Sequence, residues 1–216
     1  MSLPLYQVDA FASRLPSGKL AAVCLLLVCA LALLPEALKG ASPEAPSLPD
    51  PSIQLIKPEP RGGKAYRLVY LVPVPLDIYW RFKTDFDSSF VEGNELIEEH
   101  RFLRRKGNVV VTENRYTLGS DAPFRWRTTV FPEQHRLEFT LLNPEECGQR
   151  FHHGYIEAKG KGQRTKVMQV AFFDFFGASI WAHYPWSGGL RDFLRTTARW
   201  EQQAVAELRD RYATKP

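Results

Sequence analysis

The sequence predicts an α+β domain in which a curved antiparallel sheet packs against one long C-terminal helix. Three observations lead there. First, residues 188–208 (GGLRDFLRTTARWEQQAVAEL) place Leu190, Phe193, Leu194, Thr197, Trp200, Ala204, Val205 and Leu208 on one face at a 3.6-residue period. Second, the 80 or so residues before it alternate with a period of two, broken by turns rich in Gly, Pro, Asn and Asp. Third, a strand followed by Pro73-Val74-Pro75 and a short helical pattern opens the domain. The order of strand, helices, six strands and a long helix is that of an α+β domain.

The chain of 216 residues divides by composition before the domain begins. Leu20 to Leu34 (LAAVCLLLVCALALL) is apolar throughout, preceded by Arg14 and Lys19 and ended by Pro35-Glu36. Fifteen residues are short against the roughly 20 of a membrane span. Residues 1–40 therefore read as a cleaved signal peptide or a retained N-terminal membrane anchor. Residues 41–63 hold six prolines and end in Gly-Gly, the composition of a semi-rigid linker, although Ile53-Gln54-Leu55-Ile56 offers a short edge strand. Residues 64–212 form the expected domain. Beyond residue 40 the chain carries 25 basic and 22 acidic residues, a balance too even for a nucleic-acid binder.

Within the domain, Tyr66–Val72 is β-branched and aromatic and reads as a strand. Pro75 suits a helix start, and Leu76–Phe86 follows with Ile78, Tyr79, Phe82 and Phe86 at helical spacing. Six strands are expected next, over Leu96–Arg104, Val109–Leu118, Phe124–Phe131, Arg136–Leu142, Arg150–Ala158 and Arg164–Phe173. Their joins are short enough for antiparallel neighbours.

Few residues in this pattern carry overt chemistry. Glu201 falls near the centre of the helix's apolar arc, where an unpaired carboxylate costs several kcal/mol. It is either a polar anchor or acid/base group facing a pocket, or one half of a structural ion pair with Arg125 or Arg127. Thr197 shares its arc. On the strand holding Phe151-His152-His153-Gly154-Tyr155, adjacent side chains diverge, so only one histidine reaches a cavity. If Phe151 points inward, His153 and Tyr155 do too. Glu201, His153 and Tyr155 are then the candidate catalytic set, and Trp126, His153, Tyr155, Phe172, Trp186, Phe193, Thr197, Trp200 and Glu201 the candidate ligand-binding set. The aromatic loop from Trp181 through Tyr184 to Trp186 is a candidate membrane-touching gate.

Basic residues gather in three places: Arg191, Arg195 and Arg199 along the helix, Arg101, Arg104, Arg105 and Lys106 at one hairpin, and Lys159, Lys161, Arg164 and Lys166 at another. Each group is either a solvated face or an attraction for anionic lipid headgroups. Cys147 is the only cysteine after residue 40, so no disulfide forms within the exported part. No metal-ligand spacing, GxSxG elbow, P-loop or dinucleotide fingerprint is present, and no metal or cofactor is expected.

The order of elements, with VPVPLDIYWRFKTDFDSSF at the opening and GLRDFLRTTARWEQQAVAEL at the close, resembles the START and polyketide-cyclase-like (SRPBCC) superfamily over residues 64–212. That resemblance implies the helix-grip fold, a seven-stranded curved sheet wrapped round the C-terminal helix. It also implies binding of an apolar small molecule, such as a lipid, quinone, sterol or polyketide, between sheet and helix. The expected function is an exported or membrane-anchored binder or carrier, with possible contact to a membrane surface and none to nucleic acid. Two alternatives stand beside it: a cyclase, dehydratase or hydrolase using Glu201, His153 and Tyr155, and an envelope interaction protein with a filled cavity.

Overall fold

The alternating segments pair into one antiparallel sheet. The computed structural model describes residues 48–87, 93–117, 122–176 and 189–214. Strands β1 (Ser52–Ile56) and β2 (Lys64–Val72) are followed by helix α1 (Leu76–Thr84). Six strands come next: β3 (Ile97–Lys106), β4 (Val109–Tyr116), β5 (Phe124–Phe131), β6 (Arg136–Leu141), β7 (Gln149–Lys161) and β8 (Arg164–Phe175). Helices α2 (Gly189–Glu207) and α3 (Arg209–Ala213) close the chain. The eight strands lie in the order β1-β2-β8-β7-β6-β5-β4-β3, an open sheet with β1 and β3 at its edges.

The sheet has one strand more than expected. The apolar patch inside the Pro-rich stretch pairs with β2 in the register Ser52↔Val69 to Ile56↔Ala65. It is held from the other side by the C-terminal helix: Arg191 Nη2 donates to Ile53 O at 3.3 Å, and Arg199 pairs with Asp50 at 2.8 Å. Two of the three arginines read from the sequence as a solvated or lipid-facing stripe thus fix the start of the domain. The third, Arg195, pairs with Asp192 one turn away.

Helix α1 begins after Pro75, with Asp77 in its first turn and Arg81 and Lys83 in its last, the polarity that complements the helix dipole. Its buried face, Ile78, Tyr79 and Phe82, joins the core formed with β2, β8 and α2. Helix α3 packs back on α1 through Tyr212. The Tyr212 ring meets Phe82 edge-on at 5.6 Å, and its hydroxyl donates to Asp85 Oδ2 at 2.9 Å.

Helix α2 turns Leu194, Ala198, Glu201, Gln202 and Val205 inward, a stripe at i, i+4, i+7, i+8 and i+11. Gln202 reaches Leu71 O at 2.8 Å, tying the helix to β2. Gly154, opposite Phe139 in the β6–β7 register, allows the two strands to accept that ring. A Cβ there would stand 2.0 Å from Val170 O and 2.7 Å from the Phe139 ring. Among the described residues, no helix is long and apolar enough to cross a membrane. Residues 1–40 and the Trp181–Trp186 loop lie outside the described residues.

Candidate functional site

Sheet and helix α2 do not meet everywhere. Between them lies a cavity of about 280 Å3, lined from the sheet by residues such as Trp126, Thr128, Phe139, His152 and Phe173, and from α2 by Phe193, Leu194, Thr197, Trp200 and Glu201. Helix α1 and the segment after it add Lys83 and Phe86. Most of the wall is aromatic or aliphatic, and its polar groups are few and individually placed.

Glu201 is 2 % exposed and accepts three donors. The Tyr70 and Tyr79 hydroxyls donate to its Oε1 at 2.6 and 2.7 Å, and Lys83 Nζ forms an ion pair with its Oε2. The partner is therefore a lysine on α1. Arg125, one arginine candidate, is exposed and pairs with Glu113 at 2.9 Å, and Arg127 is exposed as well. Burial pushes both tyrosines well above their usual range, and the Glu201 carboxylate pushes in the same direction, so both remain donors. The carboxylate's charge is met by one cation, and its oxygens are engaged by the protein itself.

His152, not His153, faces the cavity. Its ring sits among Trp126, Phe139 and Phe173, with centroids 4.9, 6.1 and 5.3 Å away. Nδ1 lies 3.1 Å from Gln149 Oε1, so Nδ1 carries the proton and Nε2 keeps its lone pair. Burial lowers the histidine to about 3, with the neighbouring His153 adding to the shift, which makes it a neutral acceptor across the physiological range. Thr197 Oγ1 is buried and has no hydrogen-bond partner among the described residues.

His153, Tyr155 and Phe172 lie on the opposite face. His153 Nε2 contacts Arg61 and lies 3.2 Å from Glu59 Oε2, while its ring stacks on Phe172 at 5.4 Å. The Arg136 guanidinium covers Tyr155, 3.9 Å from the ring centroid. The proposed inward orientation of Phe151 fails because Arg61 lies over that ring too, at 3.7 Å. Of the expected residues the cavity brings together Trp126, Phe193, Thr197, Trp200 and Glu201; Trp186 lies outside the described residues.

Sequence reasoning passed over His152, Lys83, Tyr70, Tyr79 and His100. The parity of β7 held a usable signal: Phe151, His153 and Tyr155 share a face with Glu157, Lys159 and Lys161, whereas His152 shares one with Gly154, Ile156 and Ala158. His100 joins β3 to Asn114 Oδ1 of β4 at 2.6 Å and to Phe86 O at 2.9 Å, contacts no periodicity announces. Cys147 is buried away from the cavity lining, with its thiol pushed up to about 12 by burial first and by Glu146 second, which favours the protonated thiol over the thiolate. Among the described residues, no group of three or more His, Cys, Asp or Glu is placed to hold a metal ion.

An open antiparallel sheet gripping a C-terminal helix, with a lined void between them, is the arrangement that decides the fold. This chain has the helix-grip fold of the START and polyketide-cyclase-like proteins. Human StAR-related lipid transfer protein 5 superposes with a TM-score of 0.52 at 16% identity, covering 87% of this chain and 98% of that one. A START superfamily protein from Mycobacterium smegmatis gives 0.51 at 11%, covering 68% and 99%. An aromatase/cyclase from a Streptomyces species gives 0.50 at 16%, covering 76% and 100%. No family model and no curated protein matches the sequence. At such identities the likeness establishes the fold, and the helix-grip cavity must speak for itself on function.

Proposed function

We propose that this protein binds and carries a compact, uncharged, largely apolar small molecule in the helix-grip cavity, as an exported protein or one held to a membrane by residues 1–40. The observation that carries this reading is a cavity between sheet and α2 whose charges are already compensated within the protein. Glu201 is matched by Lys83, and His152 stays neutral, so a charged ligand would meet no free counter-ion among them. Two neutral groups, Thr197 Oγ1 and His152 Nε2, are left to orient a hydroxyl or carbonyl. The volume, about 280 Å3, is at the lower end of small-molecule sites, which suits a ring system or one short chain better than a two-chain lipid. Of the lipids, quinones, sterols and polyketide-like compounds open at the outset, the small oxygenated ones fit best. The lipid-transfer and aromatase/cyclase neighbours both accord with an apolar guest.

The enzymatic alternative finds less support. Its three candidate groups do not converge: His153 and Tyr155 are on the outer face, and Glu201 is occupied by three donors. The filled-cavity alternative is at odds with the void.

Native mass spectrometry of the purified protein tests the proposal. A ligand-sized adduct released on denaturation is expected, and extraction should yield an uncharged molecule. Thr197→Phe, which fills the void, should abolish the adduct with the fold retained. Thr197→Val, which removes only the hydroxyl, should weaken retention about five- to tenfold, the worth of one hydrogen bond. An adduct that survives Thr197→Phe would place the ligand elsewhere and end the reading.

A further inference from the structure

The two basic hairpins, separate in the sequence, come to the same end of the sheet. Strands β3, β5 and β7 all run in one direction, because each alternate strand in the order β7-β6-β5-β4-β3 is antiparallel to its neighbours. The β3–β4 and β7–β8 turns therefore project from one edge of the molecule, with the β5–β6 turn between them. Strand β2 runs the same way and ends there, since Val72 lies opposite Thr165 at the start of β8.

The β7–β8 tip is an array of like charges. Lys159 stands directly opposite Lys166, and Lys161 opposite Arg164, on the face away from the core. Like charges placed directly opposite each other destabilise a sheet. None of the four makes an ion pair with another described residue, and neither do Arg104 and Lys106 at the β3–β4 tip. A cation array kept at a cost to stability and left without counter-ions among the described residues is matched by an anionic surface. Beside the second group, Phe102 and Leu103 are 41 and 44 % exposed, large apolar side chains among arginines. Arg105 leans over the Phe86 ring at 5.7 Å. Acidic groups toward this end are Glu133, exposed at the β5–β6 turn, Asp77 at the start of α1, 4.0 Å from Arg81, Asp50, paired with Arg199, and Glu138 and Glu157, both paired with Arg136.

The place where the chain enters the domain selects the occupant. Strand β1 begins toward this same end, with Ser52 across from Val69, and the 15-residue apolar run lies upstream of it. We propose that the β3–β4 and β7–β8 hairpin tips form a docking surface for an anionic lipid bilayer, the cations meeting phosphate headgroups and Phe102 and Leu103 entering the interface. A nucleic acid or acidic protein would use the cations but would leave the two exposed apolar side chains unexplained.

The test is co-sedimentation of the full-length protein with phosphatidylcholine vesicles, with and without phosphatidylglycerol. The neutral vesicles report the apolar contributions of residues 20–34 and of Phe102 and Leu103. The difference between the two reports the cations, and the hairpin variants separate theirs from those of Arg14, Lys19 and Lys39. Anionic vesicles should bind the protein more strongly, and more so at low salt. Two variants, Lys159→Glu with Lys161→Glu and Arg104→Glu with Lys106→Glu, should each reduce the anionic component at least about tenfold. The first also replaces opposed like charges by opposed unlike ones, so its melting temperature should not fall. Equal binding to both vesicles by the wild type overturns the proposal, as does unaltered anionic binding by both variants. Loss of oligonucleotide binding in the variants without any loss of vesicle binding also overturns it. An empty cavity would leave these expectations unchanged.

Discussion

His152 shows how one side chain's setting decides its chemistry. A histidine surrounded by Trp126, Phe139 and Phe173 cannot hydrate its charged form, so it takes up a proton only near pH 3 when folded, against about 6.5 when unfolded. Between those values the unfolded chain binds more protons, so stability falls as pH drops from about 6.5 toward 3. Replacing the ring by one that does not titrate should remove this part of the dependence. Urea denaturation of His152→Phe at a series of pH values is expected to give a shallower acid slope than wild type. An identical slope would mean that the imidazole is not held neutral. The choice between His152 and His153 was legible in principle, because charged residues further along β7 mark its outer face. The aromatic neighbours Phe151 and Tyr155 pointed the other way, since an aromatic ring looks like core until a guanidinium is found lying over it.

Glu201 joins three elements through one carboxylate: β2 through Tyr70, α1 through Tyr79 and Lys83, and α2 through its own backbone. Burying the pair is tolerable because every strong donor around it is matched, and removing either partner leaves the other charge uncompensated. Glu201→Gln should therefore cost about 3 kcal/mol, read as a shift of the urea midpoint at unchanged slope. Lys83→Leu combined with Glu201→Leu should recover part of that loss, since paired apolar replacements remove the unmatched charge. Recovery would be incomplete because the Tyr70 and Tyr79 hydroxyls lose their acceptor. If the double variant proves no more stable than Glu201→Gln, the cluster is not governed by charge compensation. Periodicity placed Glu201 on the buried face correctly. It named the wrong partner because Lys83 lies 118 residues away on a helix whose docking the pattern does not specify.

The domain is a sheet and a helix that enclose a void of about 280 Å3 between them. Ligand bound only by the folded state adds stability, about 2.7 kcal/mol at a hundred times the dissociation constant. Stripping the proposed ligand by organic extraction and refolding should lower the melting temperature, and adding the extract back should restore it. An unchanged melting point in protein shown by mass spectrometry to have lost its adduct would argue against a guest in the cavity. Alternating strands, a proline-led short helix and an amphipathic C-terminal helix were each readable from local pattern, because side-chain periodicity follows from backbone geometry alone. So were the α+β class and the burial of Glu201. The pairing of residues 52–56 as an eighth strand, the Lys83 partnership, the void and the gathering of two distant hairpins at one end all depend on how elements meet across the fold. Those contacts join residues from about ten to more than a hundred positions apart, and the periodicity of one segment carries no information about the surface it will face.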